Sequence, residues 1–384
     1  MNKRRGIILA GVLVVAGVWF VIWGASGPPE PVYEGRKLTS WLERHLPNSS
    51  ANPPYNSPGW HKAEEAIRRI ETNGIPTLLR MLRANDPPRW VLKAMQTIQR
   101  RGWLRINYRY AMPQHEEAEY AFRVLGTNAA SAVPELIKIY QENRSPSSQR
   151  CAAMALSNIG RPAQAAVPVL IKQFNHADPE VRFHAVSAVM HIGGEPNVVV
   201  PALTGALKDS NVNVRWDALI GLSGFGSPAR AAVPEIMKML DDPGMVGTSP
   251  IKEQVEIALW RIAPEKVGKP LVIEQSTPII DQGKITQAIK MTQRGRRETL
   301  IPAGTSVPTV RQYWSSDPRP RLEIHRGPAG ASEKDHLLGY FEVLDLPPSE
   351  RLNISTLCVV VDGQIFLCAR DNTRERFLEI RRVE

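Results

Sequence analysis

Two neighbouring stretches of the chain, DPEVRFHAVSAVMHIGGEPNVVVPAL (178–203) and DSNVNVRWDALIGLSGFGSPARAAVPEI (209–236), carry the pattern that decides the fold. In both, a run of apolar residues at helical spacing ends at a glycine, and a proline follows eight residues later. A glycine supplies the left-handed backbone conformation that closes a helix, and a proline suits the first position of the next helix. Each stretch therefore predicts the end of one helix and the start of another.

The same pair of residues recurs along the middle of the chain, at steps of 34, 33 and 33 residues. The glycines are Gly126, Gly160, Gly193 and Gly226, and the prolines are Pro134, Pro168, Pro201 and Pro234. An apolar or aromatic residue stands two and six positions after each proline, which predicts one apolar face on the helix that the proline opens. Each unit is a helical hairpin that cannot bury its apolar side alone, so the copies must stack.

These stretches resemble HEAT repeats, in particular the short bacterial kind that has an Asp-x-x-Val-Arg sequence before its second helix. Arg182 and Arg215 occupy the arginine position of that sequence. Less regular copies at 63–86 and 253–264 extend the resemblance to roughly residues 60–265. The resemblance implies an armadillo-type α-solenoid whose surface holds proteins or peptides.

The N-terminus has the pattern of a membrane anchor. Lys3, Arg4 and Arg5 precede an apolar stretch from Ile7 to Trp23, close to the ~20 residues with which a helix crosses a bilayer. By the positive-inside rule, the N-terminus is then cytoplasmic and the bulk of the chain is extracytoplasmic. A cleaved signal peptide, which would make the protein secreted, and a buried helix are the alternatives. The sequence thus predicts a single-pass membrane protein.

The formal net charge of +10 over 384 residues is concentrated outside the repeats quoted above. Beyond the N-terminal cations it lies between residues 80 and 110, where Asp86 is the one acidic residue. The basic residues there are Arg80, Arg83, Arg89, Lys93, Arg100, Arg101, Arg105 and Arg109, and the aromatic residues among them are Trp90, Trp103, Tyr108 and Tyr110. Three interpretations stay open: the solvated face of a repeat helix buried through Val91, Ala94, Met95 and Ile98, contact with anionic lipid or an acidic partner, and nucleic-acid binding, which predicted export disfavours.

From about Lys269 the helical period gives way to alternating strands bounded by proline and glycine turns. The candidate strands are 271–274, 298–301, 310–314, 321–326, 339–344, 354–361, 364–370 and 376–380. Asp362-Gly363 predicts a two-residue hairpin that pairs Val361 with Gln364 and turns Cys358 and Cys368 to opposite faces. An all-β antiparallel sandwich of six to eight strands fits this spacing.

Three blocks of this C-terminal part, 298–309, 321–351 and 361–380, resemble the β-sandwich substrate-binding domain of the DnaK-type (Hsp70-like) heat-shock chaperones. In that family the sandwich grips an extended hydrophobic peptide, and an insertion at 277–297 replaces the family's glycine-rich first loop here. By position, the peptide-gripping residues would be Ile273, Trp314, Leu322 and Ile324. The same side chains are also expected as plain sandwich core. Because the chain has neither the nucleotide-binding domain nor the helical lid of the chaperones, ATP-driven cycling is not expected.

Catalytic and metal-binding patterns are absent from the sequence: the histidines are scattered, and Ser223 lacks the GxSxG spacing of a nucleophile elbow. We therefore expect a membrane-anchored, non-enzymatic scaffold without cofactor or metal that binds protein or peptide partners and no nucleic acid. The alternatives are a HEAT-repeat enzyme subunit of the lyase type and a structural envelope scaffold without peptide affinity. The expected domains are the basic flank and transmembrane anchor (1–29), a linker with a short helix (30–59), the solenoid (60–266) and the sandwich (267–384).

Overall fold

The computed structural model describes residues 29–45, 58–102, 108–241, 249–267, 270–273, 280–293, 296–315, 321–327, 335–344, 354–371 and 376–383. They group into two compact units, Met1–Gly194 and Glu195–Glu384. The described part of unit 1 is almost entirely helical, whereas unit 2 combines helices with a series of antiparallel strands.

Unit 1 begins with a short hairpin of β1 (Val32–Tyr33) and β2 (Arg36–Lys37) and continues as helices. The helices are α1 (Leu38–His45), α2 (Pro58–Ile70), α3 (Ile75–Leu82), α4 (Arg89–Arg100), α5 (Ala111–Leu125), α6 (Val133–Glu142), α7 (Pro146–Ile159), α8 (Val167–Ile171) and α9 (Pro179–Ile192). Helices α5, α7 and α9 are the second helices of successive hairpins, and α7 packs against both α5 and α9. Their apolar faces form the core of unit 1, with Phe122, Leu156 and Val189 fully buried.

The glycine and proline signals are confirmed in unit 1. Gly160 and Gly193 end α7 and α9 with φ angles of +72° and +70°, and each donates its backbone N–H to the last turn of its helix. Pro134 and Pro168 are the second residues of α6 and α8. What the period did not indicate is that a 3-10 turn, such as 161–166, follows the glycine and leads into the next helix.

A long donor side chain recurs in the first turn of the second helices and forms hydrogen bonds with the turn before it. Arg182 Nη1 donates to the backbone oxygens of His176 and Ala177, at 2.8 and 3.1 Å. Gln149, at the equivalent position one repeat earlier, donates to the backbone oxygen of Tyr140 at 3.5 Å. The side chain therefore closes the turn between the two helices of its own hairpin.

The helices of unit 2 are α10 (Pro196–Ala206), α11 (Val212–Phe225), α12 (Val233–Lys238) and α13 (Ser249–Ile262). Pro201 departs from the predicted pattern because it lies inside α10, which already begins at Pro196. Pro201 is the sixth residue of α10, beyond the turn whose N–H groups have no partner within the helix, so its missing N–H removes one hydrogen bond of the helix. Arg215 Nη1 donates to the backbone oxygens of Asp209 and Ser210, as the equivalent arginine does in unit 1.

The strands of unit 2 form two larger antiparallel sheets among the described residues. The strands are β3 (Leu271–Ile273), β4 (Ile280–Asp281), β5 (Lys284–Ile285), β6 (Ala288–Gln293), β7 (Arg296–Ile301), β8 (Thr309–Ser315), β9 (Arg321–Gly327), β10 (His336–Val343), β11 (Ile354–Val361), β12 (Gln364–Asp371), β13 (Arg376–Leu378) and β14 (Ile380–Val383). One sheet has the order β14-β10-β9-β6-β7, and the other has the order β13-β12-β11-β8 with β3 also paired to β12. Strands β4 and β5 form a separate hairpin.

Alternate residues of the two sheets share one hydrophobic core, which includes Met291, Phe341, Cys358 and Leu367. The antiparallel sheets confirm the all-β prediction for this part of the chain, and the pairing of Val361 with Gln364 confirms the predicted hairpin register. The resemblance to the chaperone domain stays a prediction. Strands β4, β5 and β6 were missed, and all three lie inside the stretch that we interpreted as an insertion.

The predicted localisation needs correction. No helix in the described ranges is both long enough and apolar enough to cross a bilayer, which contradicts the prediction of a single-pass membrane protein. The apolar stretch on which that prediction depended, residues 7–23, lies outside the described residues.

Candidate partner-binding surfaces

The structure divides the basic stretch between residues 80 and 110 into two groups, and the first group is engaged internally. Arg83 lies 2.8 Å from a carboxylate oxygen of Glu135 and 3.7 Å from one of Glu142. Arg109 forms an ion pair with Glu117, a carboxylate that is almost fully buried. Burial raises the pKa of Glu117 to about 7 against the opposing effect of Arg109. These two arginines therefore hold the fold together and are not a free basic surface.

The second group lies on α4 and faces outward. Arg89, Lys93 and Arg100 are exposed and follow one another at intervals of four and seven residues, which places them along one face of the helix. Trp90, beside them, is 62% exposed. We call Arg89, Trp90, Lys93 and Arg100 the α4 stripe. Arg80 is half-buried and Arg101 is exposed, whereas Arg105 lies outside the described residues.

The predicted burial of α4 is wrong in extent. Val91, Ala94, Met95 and Ile98 were expected to form a buried stripe, but only Met95 is buried and the other three are half-exposed. Asp86, the acidic residue of this stretch, is engaged elsewhere, because it accepts hydrogen bonds from the Tyr108 hydroxyl and the Ala111 backbone N–H at 2.7 and 3.0 Å.

A second surface lies on the helices α5, α7 and α9 of unit 1. Polar side chains of α7 form hydrogen bonds with α5. Arg150 Nη2 donates to Glu116 at 3.2 Å, and Asn158 Nδ2 donates to Glu119 at 2.8 Å. Burial raises the pKa of Glu119 against the effect of these neighbours. On the next helix, Phe183 stands at the repeat position that Glu116 and Arg150 occupy on theirs.

Apolar side chains on this surface are only half-covered. Met154 of α7 and Phe183 of α9 are half-buried, although neighbouring positions of the same helices are fully buried. The Arg150 guanidinium contacts the Met154 sulfur at 3.7 Å, and the rings of Phe183 and His184 lie 5.0 Å apart. Burial lowers the pKa of His184, and the nearby Arg150 lowers it further. We call Glu116, Glu119, Arg150, Met154 and Phe183 the second-helix face.

The residues predicted to grip a peptide lie in unit 2. Ile273, Leu322 and Ile324 are at most 3% exposed and belong to one core cluster. Trp314 pairs with Ser355 through the backbone of β8, and its side chain lies outside what the structure describes. The structure thus brings three of the four residues together, but inside the core, where a peptide would reach them only if the two sheets separated.

Unit 2 also has an open cleft of about 440 Å³ that the sequence did not indicate. Its apolar lining includes Phe225 at the end of α11, Val307 and Pro308. At its polar side, the Ser227 hydroxyl donates to the carboxylate of Asp362 at 2.6 Å. The cleft combines residues far apart in the chain, so no local motif could have revealed it.

The described cysteines and His115 lie in the interior. Cys151, Cys358 and Cys368 are buried free thiols, and burial raises the pKa of each to about 12. His115 is fully buried, with Nδ1 2.8 Å from the Ser147 hydroxyl and Nε2 2.9 Å from the backbone oxygen of Ala84. Within the described ranges, no group of three or more His, Cys, Asp or Glu side chains is placed to hold a metal ion.

Comparison with known proteins assigns part of the helical region to a repeat class. The family model for HEAT repeats matches residues 133–199 and 167–246, so this part of the chain carries HEAT repeats. Antiparallel β sheets follow them.

Similar solved structures are distant from this chain. An engineered protein is 19% identical, with 59% of this chain and 96% of that chain covered and a TM-score of 0.36. Mini spindles TOG3 from Drosophila melanogaster is 12% identical, with 54% and 90% covered and a TM-score of 0.27. The complex of CpcE and CpcF of phycocyanin lyase from Nostoc is 16% identical, with 58% and 96% covered and a TM-score of 0.24. No curated protein matches the chain.

Proposed function

We propose that the protein is a non-enzymatic scaffold that binds protein partners through the second-helix face of its HEAT repeats. The observation that carries the proposal is the half-exposure of Met154 and Phe183 beside the Glu116–Arg150 ion pair. Stacked helical repeats create extended surfaces of this kind, and partner-binding surfaces are enriched in aromatic residues, methionine and arginine.

The charged residues of this face are suited to orient a partner. Arg150 and Glu116 remain partly exposed, at 32% and 23% of their side chains, so a partner can add hydrogen bonds to both without breaking the pair. A carboxylate–guanidinium pair at the edge of a half-exposed aromatic residue gives direction to an otherwise apolar contact.

For unit 2 the proposal extends to peptide binding, with the cleft as the site. Phe225, Val307 and Pro308 offer an open apolar lining, whereas the core residues Ile273 and Leu322 are enclosed by both sheets. A peptide array probed with the full chain tests this. Phe225→Ala is expected to reduce the retention of apolar peptides, and the matched change of an exposed strand residue, Val272→Ala, is expected to leave it unchanged. Equal retention by both variants would remove the cleft as the site.

The second-helix face is tested by affinity enrichment of the full chain from cells that make it, with quantitative mass spectrometry of the bound proteins. The variant Met154→Ala/Phe183→Ala removes the half-exposed apolar groups of the face. Its matched control is Ile137→Ala/Ile171→Ala, which removes two half-exposed apolar groups from the first helices α6 and α8. We expect a set of proteins that the wild type and the control retain and that the Met154/Phe183 variant loses.

Two results would count against the proposal. If the wild type enriches no protein beyond an unrelated bait, the scaffold function fails. If both double variants lose the same proteins, the second-helix face is not the binding surface. The intact mass of a retained partner distinguishes the lyase-type alternative from a scaffold. An enzyme subunit would change the partner's mass on incubation, whereas a scaffold would leave it unchanged.

A further inference from the structure

We infer that the α4 stripe is a docking site for an acidic, amphipathic segment of a protein partner. The inference rests on the proposed scaffold function and names the chemistry of one partner. Arg89, Lys93 and Arg100 extend over about 16 Å of helix, at 1.5 Å per residue, and α4 itself carries no acidic residue. The stripe is therefore a continuous line of positive charge along an exposed helix.

The positive charge of the stripe has no counter-charge among the described residues. Arg89, Lys93 and Arg100 form no ion pair among those residues. The nearby carboxylate of Asp86 already accepts hydrogen bonds from Tyr108 and Ala111. Arg83 and Arg109, which form ion pairs within the protein, lie outside α4. A partner that brings carboxylates to the stripe thus forms new ion pairs without displacing existing ones.

Because the stripe also includes an exposed tryptophan, a ligand that offers only negative charge is not the best fit. Trp90 presents a large, exposed indole ring next to two of the cations. An exposed aromatic ring flanked by arginine and lysine matches a ligand that has both carboxylates and an apolar side chain. An amphipathic protein segment combines these groups at the spacing of a helix turn.

Nucleic acid and lipid fit the same charges less well. Base stacking needs free aromatic rings, but the Tyr108 hydroxyl is bonded to Asp86 and its ring packs edge-on against Tyr110 at 5.3 Å. Lipid contact was predicted for repeats held near a bilayer, and no helix among the described residues is long and apolar enough to hold them there. An acidic protein segment is the remaining partner class that uses both the cations and Trp90.

The test uses the full chain and a short fluorescein-labelled peptide that is rich in glutamate and has leucines on one helical face. Fluorescence anisotropy measures its binding at low and high salt. We expect the charge reversal Arg89→Glu/Lys93→Glu/Arg100→Glu to weaken binding at least about tenfold, since each exposed pair contributes modestly and the three add. Trp90→Ala is expected to weaken binding to a similar degree at both salt concentrations, because its contribution is apolar.

The matched control is Lys62→Glu/Arg69→Glu/Lys172→Glu, which changes the net charge equally at exposed positions of unit 1 away from α4. It is expected to bind within about twofold of wild type. Circular dichroism establishes that both triple variants keep the helical content of the wild type. A loss of binding confined to the stripe variants supports docking at α4.

Three outcomes overturn the inference. The first is equal binding by the stripe variant and the wild type, and the second is equal weakening in the stripe and control variants. The third is wild-type binding to phosphatidylglycerol vesicles or to a single-stranded RNA oligonucleotide that is tighter than binding to the peptide. None of these outcomes alters the result of the Met154/Phe183 enrichment, so failure at α4 is distinguishable from failure of the scaffold function.

Discussion

Removal of one carboxylate is expected to destabilise unit 2 more than any other single charge change discussed here. Asp335 accepts a hydrogen bond from Lys290 of β6 at 2.7 Å and one from Arg297 of β7 at 2.9 Å. The side chains of Lys290 and Asp335 are 2% and 1% exposed, whereas Arg297 is 34% exposed. The perturbation is Asp335→Asn, which keeps the shape of the side chain and removes its charge.

The magnitude follows from what the substitution leaves behind. Removal of one partner from a buried ion pair costs about 3–5 kcal/mol, because the other charge stays buried without compensation. Lys290 would lose this carboxylate while its own charge stays buried, whereas Arg297 can turn toward water. We therefore expect a loss of about 3 kcal/mol in the free energy of unfolding, at the lower end of that range.

The same contacts set the pH dependence. Burial raises the pKa of Asp335, but the hydrogen bonds and charges of Lys290 and Arg297 outweigh it and hold the pKa below its usual value. A carboxyl whose pKa is lower in the folded than in the unfolded chain stabilises the fold above about pH 4, and the stability is lost as the pH falls through the folded value. In Asp335→Asn this part of the acid dependence should be absent.

Urea unfolding is combined with hydrogen exchange of peptides that cover β6 and β9. The second measurement reports on unit 2 by itself, because a chain with two units need not unfold in one step. Glu342→Gln is the matched control, since Glu342 pairs with Arg381 at 3.8 Å on the surface, where a pair is worth about 1 kcal/mol or less. The double variant Lys290→Met/Asp335→Asn should recover most of the loss. A change below about 0.5 kcal/mol for Asp335→Asn would refute the argument from burial.

Three further predictions concern other parts of the fold. Burial lowers the pKa of His115 in the folded chain. The neutral side chain therefore stabilises the fold fully above about pH 6.5, and this stabilisation declines as the pH falls through the pKa of the folded state. His115→Gln should make the urea midpoint fall less between about pH 7 and pH 5. Gly226 has φ +66°, and a Cβ there would lie 2.6 Å from Pro308, so Gly226→Ala should lower the melting temperature more than Gly363→Ala, where φ is +77° but the space is open. Gly363→Ala should lower the free energy of unfolding by about 1–2 kcal/mol, and Gly226→Ala by roughly 1–3 kcal/mol more. Equal shifts of the melting temperature in calorimetry would contradict the close contact at Gly226. Leu322→Ala, in the core, should cost about 2–5 kcal/mol in urea unfolding, whereas a loss below about 1 kcal/mol would indicate that the side chain is not enclosed.

The repeats were predictable because their signals are local. Gly160 and Gly193 close their helices by their own backbone conformation, so a period in the sequence becomes a period in the structure. The hairpin at Asp362 and Gly363 was predictable for the same reason, since a two-residue turn fixes the register of both strands.

The candidate surfaces were less predictable, because they depend on contacts between distant residues. The charge of the basic stretch did not reveal that Arg83 is paired with Glu135, more than fifty residues away. Helical spacing on α4 indicated an apolar face but not what covers it, so Val91 and Ile98 were expected to be more buried than they are. Strand β6 was missed because Lys290 interrupts its apolar pattern, although Asp335 allows that lysine to be buried.

The donors that close the helical turns have a consequence for how such an array can change length. Arg182 bonds to His176 and Ala177 within its own hairpin, and Arg215 bonds to Asp209 and Ser210 within its own. All four of these hydrogen bonds stay within one repeat. Duplication or deletion of a whole hairpin therefore keeps these guanidinium–carbonyl bonds together, which favours the hairpin as the unit by which such an array gains or loses length.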